Sequence, residues 1–142
     1  MYYLTMLSAA FILVAAVPHP GNWWLGWAMV LAAIFTGALI GMGFHRDDFL
    51  GGYTSFRRRL WRLGHIALAA LGMMNVLFAL GPWPSPGSGL ARAASICFIA
   101  GGVLMPTVCL LAGWRESFRH LFFLPVVSLI LAVVLTLIGA LP

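Results

Sequence analysis

Three histidines lie at the ends of long apolar stretches, and their side chains can bind metals. His45 follows the second stretch, His65 begins the third and His120 precedes the fifth. Neutral imidazole ligates haem iron, copper and zinc, and two histidines from different helices can bracket a haem b. His65 and His120 are the best pair, because the small residues Ala69 and Gly72 would leave room for a flat macrocycle. Alternatively, all three are ordinary boundary residues with an apolar ring and a polar tip.

Sulfur-containing side chains suggest a second metal chemistry. Met105 and Cys109 are four residues apart, on one face of a helix, and Met42 lies one turn before His45. Thioether, thiolate and imidazole groups together suit copper(I). The alternative is packing, because methionine commonly fills apolar helices and the chain has no Met-x-x-Met or Cys-x-x-Cys pair.

Asn75 is the most informative single polar residue, since it lies near the middle of the third apolar stretch. A carboxamide at that depth needs a hydrogen-bond partner, because lipid offers none. The partner is either a quinone, another cofactor or a second subunit, or it is a neighbouring helix of this chain. No ionisable group lies at the centre of a stretch, which argues against a proton-coupled or ion-coupled carrier.

A cluster of arginines precedes the third stretch. Arg57, Arg58, Arg59 and Arg62 are interleaved with aromatic and aliphatic residues that include Trp61. This pattern predicts a short helix lying on the membrane, with Trp61 in the acyl boundary and the guanidinium groups on lipid phosphates. The alternative is that the arginines dock an acidic partner subunit.

The composition indicates a protein that lies in a membrane. The chain has 142 residues, of which 63% are apolar and 8% charged, whereas soluble domains carry about 25% charged residues. So little charge cannot cover a folded surface in water, so lipid must surround the protein. The net charge is +5, and all eight basic residues are arginines. Seven of them lie beside apolar stretches, where arginine sets topology and meets anionic lipid, so we expect no nucleic acid partner.

Five apolar stretches are long enough to cross a bilayer, at about 2–18, 23–44, 63–82, 90–113 and 121–141. The first lacks the basic residues that begin a signal peptide, so we expect it to be a span. The sequence therefore predicts an all-α fold, a single transmembrane domain over residues 1–142 that forms a bundle of five transmembrane helices. No extramembrane domain fits in the remaining residues.

The distribution of arginine predicts the orientation of the bundle. The connections 45–62 and 114–120 hold seven arginines, and the opposite side holds only Arg92. Short loops rich in arginine face the cytoplasm. We therefore expect a cytoplasmic N-terminus and an external C-terminus, in a bacterial cytoplasmic (inner) membrane.

No pattern in the sequence fixes a reaction. The chain has three acidic residues, and it lacks a nucleophile–base–acid set, a phosphate-binding loop and a zinc signature. We expect a subunit that is not catalytic on its own, or an assembly factor, in a larger membrane complex of respiratory or redox type. In architecture the chain resembles accessory or anchor subunits of bacterial respiratory complexes, a resemblance that transfers no residue role. The alternatives are a haem b-binding or quinone-binding electron carrier and a small copper or cation carrier.

Overall fold

The computed structural model describes residues 17–81 and 87–140. Within these ranges the fold is all-helical and contains no strand. The main helices are α1 (Pro20–Met42), α2 (Phe56–Leu80), α3 (Gly89–Trp114) and α4 (Phe123–Gly139). Short 3-10 helices, Phe49–Gly51 and Glu116–Phe122, precede α2 and α4.

The described residues form four segments that are long and apolar enough to cross a membrane. They are α1, α2, α3 and the combined segment Glu116–Gly139. This confirms the all-α class and indicates an integral membrane protein. The predicted span at 2–18 falls outside the described residues except for its last two, so a bundle of five spans stays a prediction.

Two helices begin earlier than the apolar pattern predicts. α1 begins at Pro20 rather than at residue 23, because proline is well suited to a first helical turn, where its missing N–H has no helical partner. α2 begins at Phe56 rather than at residue 63, because Ser55 caps it by accepting a 3.1 Å hydrogen bond from the Arg58 amide. The predicted separate surface helix is therefore wrong: the arginine cluster forms the first two turns of α2.

The helices pack in chain order, with α2 and α3 in the centre. α1 lies on α2 and α4 lies on α3, while α1 and α3 touch only briefly. Arg57 Nε donates a 3.0 Å hydrogen bond to the carbonyl of Gly113, which joins the start of α2 to the end of α3. We call this end of the bundle, made of residues 43–62 and 113–122, the arginine end. It holds every arginine of the chain except Arg92, which lies in the first turn of α3 at the opposite end.

The backbones of α1 and α2 approach each other closely at a pair of glycines. A Cβ atom added to Gly26 would lie 2.6 Å from the carbonyl oxygen of Gly72, and one added to Gly72 would lie 2.8 Å from the carbonyl oxygen of Gly26. Absence of both side chains lets the two backbones meet. The space expected beside Gly72 for a macrocycle is therefore occupied by α1, and that expectation is wrong.

Candidate functional site

A buried polar network joins three helices at the end of the bundle opposite the arginine end. Asn22 and Asn75 have no solvent-exposed surface. Asn22 Nδ2 donates to Asn75 Oδ1 at 2.8 Å, and Asn75 Nδ2 donates to the carbonyls of Leu71 at 2.9 Å and Phe98 at 3.3 Å. Ser95 Oγ donates to Asn22 Oδ1, and Asn22 Nδ2 also contacts the Ser95 carbonyl at 3.4 Å. Both carboxamides are thus engaged through all their polar atoms.

Of the two kinds of partner considered for Asn75, this network contains the second, a side chain on a neighbouring helix of the same chain. Asn75 lies five residues before the end of α2, closer to the helix end than expected. Its bond to a quinone, cofactor or second subunit stays a prediction, and both N–H groups are already used within the chain. The apolar pattern does not identify Asn22, because the second apolar stretch begins at residue 23. The signal that could have found it is a proline two residues earlier, which suits the start of a helix.

His65 faces α1 from the third turn of α2. Thr36 Oγ1 lies 2.8 Å from the carbonyl oxygen of Ala32, to which it donates, and 3.2 Å from His65 Nδ1. Which of the two groups donates in the contact between Thr36 and His65 depends on the tautomer of the imidazole. The ring lies against Gly37, where an added Cβ would be 2.7 Å from Cε1.

The space beside His65 is small and apolar. A cavity of about 90 Å³ is lined by residues of α1, α2 and α3: Thr36, Leu39, Ile40, Trp61, Gly64, His65, Leu68 and Leu110. Pockets for cofactor-sized ligands usually measure roughly 300–1,000 Å³. The cavity therefore has room for a small molecule such as water and not for a haem macrocycle.

The other predicted metal ligands lie at different places in the fold. His45 and His120 are exposed in connections at the arginine end, whereas His65 is the tenth residue of α2. The parts of the chain that the structure describes contain no group of three His, Cys, Asp or Glu side chains arranged to hold a metal ion.

The sulfur ligands are also spread along the bundle. Met42 is exposed at the last residue of α1. Met105 packs against the apolar cluster around Leu71, and Cys109 is fully buried. Met105 lies nine residues before the end of α3, about 14 Å along the helix axis from the arginine end. Helical spacing placed Met105 and Cys109 on one face, but that face is used for packing.

His19 precedes α1 and is buried beside Phe78, with 4.8 Å between the ring centroids. Burial lowers the pKa of His19 below its ordinary value of 6.5, because the charged form is desolvated. The unfolded chain therefore binds more protons than the folded chain when the pH falls below about 6.5. Stability from this residue is present above that pH and decreases as the pH falls through it.

We expect the melting temperature of the solubilised protein to fall by a few degrees between about pH 7.5 and about pH 5.5. Part of this decrease should disappear in His19→Gln, because glutamine does not titrate. His45→Gln, at an exposed site, is the matched control and should keep the full decrease. Equal pH dependence in His19→Gln and the unaltered protein would contradict the assignment.

The arginine cluster is divided by the fold into packed and exposed side chains. Arg58 is only 6% exposed, and its guanidinium carbon lies 5.0 Å from the centroid of the Phe44 ring. Arg57, Arg59 and Arg62 are exposed, and of these Arg57 is hydrogen-bonded to the carbonyl of Gly113.

Trp61 packs on α3, and its predicted position in the acyl boundary stays a prediction. It is partly buried against α3, where a Cβ atom on Gly113 would lie 2.8 Å from its Cδ1 atom. The reason is that the arginine cluster belongs to α2 itself, so the face of α2 that bears Trp61 packs on α3. Gly113 leaves the space that the indole ring fills.

Electrostatics at the start of α2 favour an anion. Arg57, Arg58 and Arg59 lie in its first turn, which contains no acidic residue. The positive end of a helix dipole disfavours each nearby cation by about 0.3–1 kcal/mol when exposed. The ion pair between Arg46 and Asp48, 3.3 Å long, is exposed on both sides and contributes little. This end therefore has uncompensated positive charge and can attract anionic groups.

The described fold thus has two polar regions. In the asparagine network the carboxamide groups are buried and bonded to one another and to nearby groups of the chain, whereas the arginine end is exposed and cationic. Comparison with known proteins finds no matching family model, no matching curated protein and no matching solved structure.

Proposed function

We propose that the chain is a non-catalytic accessory or anchor subunit, or an assembly factor, of a larger complex in a bacterial inner membrane. The observation that supports this role best is the open cationic surface at one end of an apolar helical bundle. The respiratory or redox character of the complex rests on the architectural resemblance alone. Counting arginines in short loops supports a cytoplasmic location of the arginine end.

The exposed arginines of that end favour an acidic partner surface. Arg59, Arg62, Arg115 and Arg119 are exposed, and the single ion pair found among the described residues involves Arg46 instead. Like charges held on one surface repel each other, and a surface of opposite charge relieves that repulsion and guides association. Apolar side chains along α4, such as Ile130 and Leu137, are exposed as well and suit lipid or a neighbouring subunit.

The alternative carrier roles receive less support from the geometry. An electron carrier would need His65 and His120 to share a cofactor, and the cavity beside His65 is about 90 Å³. A copper carrier would need Met42 to approach Cys109, and these residues belong to helices that touch only briefly.

Gentle solubilisation of native membranes, followed by affinity purification and mass measurement of the intact assembly, tests the subunit role. We expect a partner chain in stoichiometric amount. Replacing Arg115 and Arg119 with glutamate should remove most of that partner, because the charge of the docking surface is reversed. The matched control is Arg92→Glu, a charge reversal at the opposite end of the bundle. This variant should retain the partner chain.

Two results would count against this role. One is recovery of the chain alone at every detergent tested, and the other is equal partner retention in the double variant and the Arg92→Glu control. The second result would mean that the partner binds at a surface other than the arginine end.

A further inference from the structure

A cleft of about 490 Å³ opens at the arginine end, between residues 43–55 and the first two turns of α2. It is lined by Phe44, Asp47, Tyr53, Arg58 and Arg62. The two arginines are four residues apart, so both project from the same face of α2. The cleft therefore combines two cations, one carboxylate and aromatic walls.

Arg58 is the buried element of this cleft. Its side chain is 6% exposed, and Nε has no hydrogen-bond partner in the part of the chain that the structure describes. Phe44 and Tyr53 lie 5.0 Å and 5.4 Å from the guanidinium carbon, so aromatic rings contact the cation. A guanidinium group also presents N–H donors along its edge, and these require acceptors when buried. The single ion pair among the described residues is that of Arg46, so the buried Arg58 cation has no ion-pair partner and is an incomplete arrangement.

We propose that this cleft binds a phosphate group, the phosphodiester of an anionic lipid headgroup, through Arg58 and Arg62. Guanidinium groups match phosphate oxygens in charge and in geometry. The start of α2 adds the positive end of a helix dipole. The cleft also lies where the apolar part of α2 begins, so in a bundle that spans a membrane it would face lipid headgroups.

Asp47 explains why the phosphate is a diester. Asp47 and one phosphodiester together carry as much negative charge as Arg58 and Arg62 carry positive charge. Inorganic phosphate carries more negative charge near pH 7, and Asp47 would repel it. The carboxylate can also accept a hydrogen bond from a hydroxyl group of the headgroup.

The cleft shares Arg62 with the partner surface proposed above, but that surface is tested at Arg115 and Arg119, which do not line the cleft. Lipid binding at the cleft requires only that the arginine end lies at a membrane boundary. Failure of either proposal therefore leaves the other unaffected.

Native mass spectrometry of the full chain in a neutral detergent tests the proposal. The added ligands are phosphatidylglycerol, a diacylglycerol with the same acyl chains, and inorganic phosphate. We expect one tightly retained phosphatidylglycerol, no retained diacylglycerol and no displacement by inorganic phosphate. Arg62→Gln should weaken retention at least roughly tenfold, since a hydrogen bond to a charged group is lost.

The matched control is Arg59→Gln, an exposed neighbour with the same change in charge that does not line the cleft. It should bind phosphatidylglycerol like the unaltered protein. Arg58→Gln should also abolish retention, and because Arg58 is buried, its fold is checked by circular dichroism. Arg62 is exposed, so Arg62→Gln carries the test independently of folding. Asp47→Asn should allow inorganic phosphate to compete with the lipid.

Two outcomes overturn the proposal. If Arg62→Gln and Arg59→Gln retain the lipid equally, general surface charge binds it and the cleft does not. If inorganic phosphate displaces the lipid from the unaltered protein at comparable concentration, the cleft is a site for free phosphate, and the assignment to a lipid phosphodiester is wrong.

Discussion

Replacing Gly26 with alanine is expected to push α1 away from α2 and to lower the free energy of unfolding by about 3 kcal/mol. The added methyl carbon would lie 2.6 Å from the carbonyl oxygen of Gly72, 2.7 Å from Cγ2 of Val76 and 3.0 Å from the Val76 amide nitrogen. Two of these three atoms belong to the backbone, which cannot rotate aside as a side chain can. Relief therefore requires movement of a whole helix. Denaturant unfolding in detergent, followed by circular dichroism, measures the loss.

Gly41→Ala provides a matched control in the same helix. A Cβ atom at Gly41 would meet no atom within 4 Å, and alanine is a better helix former than glycine. We expect this variant to be as stable as the unaltered protein or slightly more so. An equal loss of stability in both variants would show that replacing any glycine of this helix destabilises the protein. The loss could then not be assigned to the contact of α1 with α2.

The apolar pattern is sufficient to predict the ends of α3, but it is not sufficient to predict the start of α2. The apolar pattern predicts α3 at 90–113 and the helix spans Gly89–Trp114, because the sequence before it is rich in proline and glycine and a polar connection follows it. The apolar pattern places the start of α2 seven residues late, because the pattern is interrupted by the arginines before residue 63. Long arginine side chains let a helix continue beyond the apolar region, and the cap at Ser55 sets its true start.

The contacts between helices could not be predicted from the sequence pattern. Gly37 and Gly41 have the Gly-x-x-x-Gly spacing at which membrane helices often pack. The backbones of α1 and α2 nevertheless approach closely at Gly26 and Gly72, while Gly37 accommodates the ring of His65. Spacing identifies which residues share a face of one helix. It does not state how that helix is rotated against its neighbour.

The same limit applies to the candidate sites. Arg58 and Arg59 are adjacent and chemically identical, but Arg58 is buried by aromatic rings of the preceding connection and Arg59 is exposed. The need of Asn75 for a partner was evident from its apolar surroundings. The identity of that partner, Asn22, was not evident, because 53 residues separate the two in the chain.

Replacing Asn75 with alanine is the second change with a large expected effect. It removes the acceptor of the Asn22 amide and the donors to the carbonyls of Leu71 and Phe98. Hydrogen bonds between membrane helices contribute roughly 0.6–1.7 kcal/mol each, and a buried amide left without a partner adds a cost of similar size. We expect the free energy of unfolding to fall by about 2 kcal/mol. Thr107→Val is the control, since the Thr107 hydroxyl is exposed and bonds only within its own helix.

A double-mutant cycle with Asn22→Ala separates the bond from the side effects of each substitution. The double variant should be less destabilised than the two single variants predict together, by about 1 kcal/mol. Strict additivity would mean that the two carboxamides are not bonded, and Asn75 would again be available to a quinone or a second subunit. Because both N–H groups of Asn75 are engaged inside the chain, any ligand that bonds them must first break this network. Such a ligand would therefore reduce the measured coupling between Asn22 and Asn75, whereas one that binds elsewhere would leave it unchanged.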